Sequence, residues 1–144
     1  LTMAETMRVE VVSPERVLYS GEATMVLTRT LGGGDIAFQA NHAPFLGAIT
    51  ECVTRIYTES GVENLAVHGG FVEVSNNRVS ILSDLAELAS EIDSDRARRA
   101  MERAEEAMRH GNDAEAEAAL RRAHARINAA GGVDGSGGGV RPGR

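Results

Sequence analysis

Between Arg8 and Leu88 apolar and polar residues alternate in short runs that turn residues interrupt. The runs are Arg8 to Ser13, Arg16 to Tyr19, Ala23 to Thr30, Asp35 to Gln39, Ile49 to Thr58, Leu65 to His68, Phe71 to Ser75 and Arg78 to Ser83. Alternation with a period of two, in runs this short, is the pattern of strands that bury one face. Ser13-Pro14, Ser20-Gly21, Gly32-Gly33-Gly34, Ser60-Gly61, Gly69-Gly70 and Asn76-Asn77 stand between them as turns. Residues 1–88 therefore predict an all-β sandwich of about ten short antiparallel strands. The best-defined hairpin is the one in which Val72, Val74 and Val79, Ile81 flank Asn76-Asn77, because asparagine tolerates the positive φ that a two-residue turn demands.

From Asp93 the period lengthens to that of a helix. Ala97, Ala100, Met101, Ala104 and Met108 recur on one face, while Arg98, Arg99, Glu102, Glu105, Glu106 and Arg109 take the other. Asp93 or Ser94 can cap the start, and Gly111 can end the helix after Arg109 and His110, whose charge suits a helix C-terminus. Asn112 with Glu115 resembles a capping pair for a second helix, with Ala116, Leu120, Ala123 and Ile127 as its apolar line. So short a connection requires an antiparallel hairpin over residues 89–130. Its seam is mostly alanine. Burial at roughly 25 cal/mol per Å² gives such a seam little to set against the ordering of its backbone, so the hairpin is expected to be marginally docked and able to swing away. Residues 131–144 are mostly glycine and are expected to be a disordered tail.

Composition narrows the function. A formal net charge of -6 argues against nucleic acid, which needs a surplus of positive surface. No apolar run approaches the roughly 20 residues of a spanning helix, so no direct membrane insertion is expected. With Cys52 as the single cysteine and no basic, apolar leader, a reducing cytoplasmic setting is the expectation. His42, His68, His110 and His124 show no zinc spacing with Cys52 or with carboxylates, and no constellation for acyl or proton transfer emerges. Leu31-Gly32-Gly33-Gly34-Asp35 lacks the lysine and hydroxyl of a phosphate loop and carries an acid that would repel phosphate, so it reads as a strand connection. Asn41-His42-Ala43-Pro44 reads either as a proline-stiffened turn with a locally bonded histidine or as a contact loop. A stand-alone ligand-binding sandwich with a helical tail is the alternative to an accessory subunit.

Four segments together favour the subunit. Val9 to Arg16, Gly34-Asp35-Ile36 with Asn41 to Leu46, His68 to Val74, and Ile92 to Ala97 resemble, in this order, segments of the epsilon subunit of bacterial F-type ATP synthases. The resemblance runs from about Arg8 to Ile127. Gln39-Ala40-Asn41 departs from the Leu/Tyr-Pro-Gly usual before the histidine, and the glycine tail is also unlike the family.

The resemblance implies a non-catalytic rotor subunit, with no required cofactor, that joins gamma to the c-ring on the cytoplasmic face of the plasma membrane. It implies that Thr30, Leu31, Gly32, Gly33, Gly34, Asp35 and His42 face the c-ring, and that the helices can rise and inhibit ATP hydrolysis. Arg121, Arg122 and Arg126 would then meet acidic surface on a beta subunit, or would simply form a solvated face. Ile92, Asp93, Arg96 and Ala97 match the family's Ile-Asp-x-x-Arg-Ala nucleotide motif, with Glu87, Arg103 and Arg126 at matching positions, which implies regulatory ATP. The plainer alternative is that Asp93 is only a cap and the arginines are only surface. Where the family carries one further arginine this chain has Ala130.

Overall fold

The computed structural model describes residues 5–111 and 113–131. Eight strands build its first part: β1 (Met7–Val12), β2 (Val17–Ala23), β3 (Met25–Thr30), β4 (Gly34–Gln39), β5 (Phe45–Thr58), β6 (Gly61–Ser75), β7 (Arg78–Leu82) and β8 (Ala86–Leu88). They follow the order β2-β1-β7-β6-β5-β3-β4, with β8 also paired to β6. Strands β5 and β6 are long, 14 and 15 residues, and each serves both layers of the sandwich. Phe71 to Ser75 of β6 pair with β7, whereas Leu65 to Val67 pair with β8. Counting these two strands once in each layer accounts for the expected number near ten.

Gly69-Gly70, expected as a turn, instead carries β6 from one layer to the other. Both residues have positive φ, 90° and 128°, and Gly70 runs so close to β7 that a β-carbon there would lie 2.2 Å from the Leu82 carbonyl oxygen. Alternation in sequence could not distinguish a turn from this bend, because glycine serves both. A second correction concerns direction. β1 and β7 pair in parallel, Arg8 beside Arg78 through Val12 beside Leu82. The apolar pattern fixes which face is buried, not which way a neighbour runs. Val9, Val11, Val79 and Ile81 are fully buried in that pair, and Val26, Phe38, Ile56 and Leu65 meet them from the other layer.

Asn76 and Asn77 both adopt left-handed φ, 52° and 58°, in the β6–β7 hairpin as expected. Asn77 does more than turn the chain. Its Oδ1 accepts from the Asn41 backbone N–H at 2.8 Å, and its Nδ2 donates to the Thr6 carbonyl at 2.9 Å. Asn41 has φ 64°, a conformation that asparagine reaches more readily than other side-chain-bearing residues.

A 3-10 turn, Ala89–Glu91, leads into helix α1 (Ser94–Arg109), which is followed by α2 (Ala114–Ala130). Asp93 caps α1, its side chain accepting from the Arg96 N–H at 3.0 Å. The expected cap of α2 shifts by one residue: the Asp113 carboxylate accepts from the Glu115 N–H, and Asn112 lies outside the described residues. The seam buries only alanines, Ala97 and Ala104 from α1 with Ala116 and Ala123 from α2, while Met101, Met108, Leu120 and Ile127 are half-buried. Helix α2 has a second buried line, Ala125 and Ala129, set on Ala66 of β6 with Val53 and Ile92 beside it. Small side chains on two stripes let α2 touch helix and sheet at once. The expected glycine tail, beyond Gly131, lies outside the described residues.

Candidate functional site

Strand register sets the floor of the junction between sandwich and hairpin. Val53 opposes Ala66 and Ala66 opposes Glu87, while Glu51 opposes His68, so these five share the outer face beneath α2. Alanine at 66 lets the helix come close, and the polar neighbours meet its arginines. Arg121 Nε donates to Glu51 Oε1 at 2.7 Å, and Arg126 Nε donates to Glu87 Oε1 at 2.6 Å. His68 Nε2 lies 2.9 Å from that same Glu87 oxygen. Across the junction Arg16 holds Glu91 through both guanidinium Nη atoms, at 3.0 and 2.5 Å.

A cleft of about 330 Å³ opens where these elements meet, lined by Glu87, Ile92, Asp93, Arg96, Ala97, Arg103 and Arg126. All seven residues matched to the nucleotide motif are thus brought together. Glu91 and Ala100 complete the wall. Ala100 was accessible to sequence reasoning, being one turn on from Ala97 and Arg96. Glu91 was not, because its place at the rim of the cleft depends on the 3-10 turn. Arg96 and Arg103 have no carboxylate partner among the described residues, so the cleft offers two uncommitted guanidinium groups beside the N-terminus of α1, with Ile92, Ala97 and Ala100 as an apolar wall. Such a set can bind an anion and lay a flat apolar group alongside it.

Two of the acids here, Glu87 and Glu91, are held ionised. The hydrogen bond from His68 pulls the Glu87 carboxyl from 4.5 down to about 2, against the opposing effect of burial and with further help from Arg126. Arg16 lowers the carboxyl of Glu91 in the same way, through its hydrogen bonds and charge. His68 escaped sequence reasoning, since its role depends on β8 lying beside β6.

The other candidates lie elsewhere. Thr30 ends β3, Leu31 to Gly33 form the exposed turn, and Gly34 and Asp35 open β4, with Asp35 accepting from Arg29 Nε at 2.7 Å. His42 follows the far end of β4, its ring edge-on to Phe38 and its Nδ1 2.7 Å from the Ala43 carbonyl oxygen. The strand β4 therefore separates His42 from the glycine loop. Of the three arginines on α2, Arg121 and Arg126 are engaged with the sandwich, while Arg122 pairs with Glu115 of its own helix. Among the described residues no group of histidine, cysteine and carboxylate side chains is gathered as for a metal, and no helix is long and apolar enough to cross a membrane.

A sandwich bearing a helical hairpin on one outer face, with a charged cleft at their junction, defines a two-part accessory subunit. The beta-sandwich domain of the ATP synthase delta/epsilon chain matches residues 6–89, and the long alpha-helix domain of the same family matches residues 90–131. The chain belongs to this family, as a non-catalytic epsilon chain. It is 44% identical over 128 residues to the ATP synthase epsilon chain of Streptomyces griseus, covering 88% of this chain and 97% of that one. It is 47% identical over 131 residues to that of Desulfitobacterium hafniense strain Y51, covering 89% and 98%. A chain of the Euglena gracilis mitochondrial ATP synthase, solved as OSCP/F1/c-ring, shares the fold with a TM-score of 0.70 at 20% identity, over 81% of this chain and 76% of that one. The reading as a stand-alone ligand module falls with this membership.

Proposed function

We propose that this central-stalk epsilon chain uses its sandwich, residues 1–88, as a fixed base and its hairpin, residues 89–130, as a nucleotide-sensitive brake on ATP hydrolysis. The observation that carries the reading is the convergence of Glu87, Asp93, Arg96, Arg103 and Arg126 on one cleft that spans both parts, so that a bound anion would hold the hairpin down. ATP is the ligand that suits it: arginines and the α1 N-terminus for phosphate, an apolar wall for the base. The complex would sit on the cytoplasmic face of the bacterial membrane.

An exposed apolar stripe fits the gamma subunit. Val17 opposes Val12, Val12 lies beside Leu82, Leu82 opposes Phe71 and Phe71 opposes Ala48, and Val17, Leu82 and Phe71 are each more than half exposed. The Thr30–Asp35 loop, with Leu31 exposed at its tip, is the candidate for the c-ring; His42, across β4, would mark a separate contact. Arg121, Arg122 and Arg126 would reach acidic surface on a beta subunit only after releasing Glu51, Glu115 and Glu87.

Truncation after Leu88 retains every strand and is expected to raise ATP hydrolysis by the assembled complex while leaving assembly intact. Unchanged hydrolysis would remove the brake from the reading. Calorimetry tests the cleft: ATP should give binding heat with the parent chain, weakened roughly tenfold or more in Arg103→Ala, the scale of one hydrogen bond to a charged group. Equal affinity in the two would place the ligand elsewhere.

A further inference from the structure

His68 is the one histidine in the described chain whose side chain is almost fully buried, 2% exposed, in the middle of β6. An ionised carboxylate only accepts, so His68 Nε2 carries the hydrogen and donates to Glu87 Oε1. Its Nδ1 is buried and has no partner among the described residues, so the ring makes a single directional bond. That bond ends on the oxygen that also accepts from Arg126 Nε, leaving the other carboxylate oxygen of Glu87 for the cleft. Glu87 sits at the sheet edge on three-residue β8 and has little else to fix its rotamer.

We propose that His68 is a positioning residue: by pinning Glu87 Oε1 where Arg126 reaches it, one imidazole buried on the sheet face beneath α2 sets both how firmly α2 docks and where the Glu87 carboxylate stands in the cleft. The consequence for the ligand rests on the nucleotide reading above, whereas the consequence for docking does not. Gln and Asn at position 68 separate this role from simple filling of space. The glutamine amide nitrogen reaches as far as Nε2 and can donate to Glu87; the asparagine nitrogen reaches only as far as Nδ1, where nothing accepts.

Hydrogen exchange of the full chain without nucleotide is the primary measurement. His68→Asn should speed exchange of the 114–130 amides roughly tenfold or more, as loss of a hydrogen bond to a charged group implies, with β1 and β7 unchanged, and His68→Gln should stay near the parent. Equal exchange in the two variants, or a rise in His68→Asn spread evenly through the strands, overturns the proposal. Should His68→Asn fail to fold, Glu87→Ala cuts the same link at its centre, and undiminished protection of α2 there is equally fatal. ATP calorimetry on the same proteins should rank the parent and His68→Gln above His68→Asn. If none of them binds ATP, the nucleotide reading fails while the exchange result still decides the role of His68.

Discussion

Gly70→Ala is expected to cost the sandwich several kcal/mol and to bring its urea midpoint down by more than any other single methyl group added to a turn or strand glycine. The new β-carbon would stand 2.2 Å from the Leu82 carbonyl oxygen and 2.9 Å from the Ser83 α-carbon, both backbone atoms that cannot swing aside. Overpacking of this kind typically costs about 1–3 kcal/mol, and holding alanine at φ +128° adds roughly 1–3 kcal/mol more. Against a total stability of about 5–15 kcal/mol, that is a large fraction. Gly69→Ala is the informative neighbour: its φ is +90°, yet its β-carbon would meet only the Ile49 carbonyl oxygen at an ordinary 3.7 Å, so it should show conformational strain alone. A midpoint for Gly70→Ala equal to that of Gly69→Ala would show that the crossing of β6 relaxes freely.

That crossing also marks where sequence reasoning reached its limit. The Asn76-Asn77 hairpin and the Asp93 cap were legible because each depends on residues within a few positions of one another. The seven cleft residues were legible only through the motif, since Glu87 and Arg126 are 39 positions apart and no local rule joins them. Gly69-Gly70 was misread because turn and bend ask the same freedom of glycine. The parallel pairing of β1 with β7 was invisible because burial patterns carry no direction. His68, Glu51 and the Ala125–Ala129 stripe stayed hidden for a common reason: each acquires its partner from an element that another part of the fold places beside it.

The hairpin's attachment has an unusual balance of forces. Its seam buries alanines, each with little apolar area to contribute, and its footing on the sheet is again alanine on alanine. The remaining ties to the sandwich are ionic: Arg16 to Glu91, Arg121 to Glu51, and Arg126 to Glu87. The first two join largely exposed guanidinium groups to carboxylates and are weakened by salt. Arg126 and Glu87 are about one quarter exposed, and with buried His68 they form the tie that water screens least. Docking should therefore respond more to the state of Glu87 than to ionic strength.

Acid offers the sharpest test of that dependence. The Glu87 carboxyl is held at about 2 while α2 is docked, chiefly by His68, which stays beside it on the sheet, and with help from Arg126, whose share alone is lost when the helix leaves. Arg126's share of that depression favours the docked form while Glu87 is ionised, and the contribution is lost as pH falls toward 2 and the carboxyl takes up its proton. A distance probe between the hairpin and the sandwich should accordingly report release of α2 as pH falls below 4.5 toward 2, ahead of the loss of far-ultraviolet strand signal, whose buried core holds no carboxylate. Glu87→Gln should remove this acid step and leave α2 less firmly held at neutral pH, because a neutral amide accepts more weakly from Arg126 and His68 than a carboxylate does. An unaltered acid step in Glu87→Gln would take the dependence away from Glu87 and would show that the Glu87–Arg126 tie is not what anchors the hairpin.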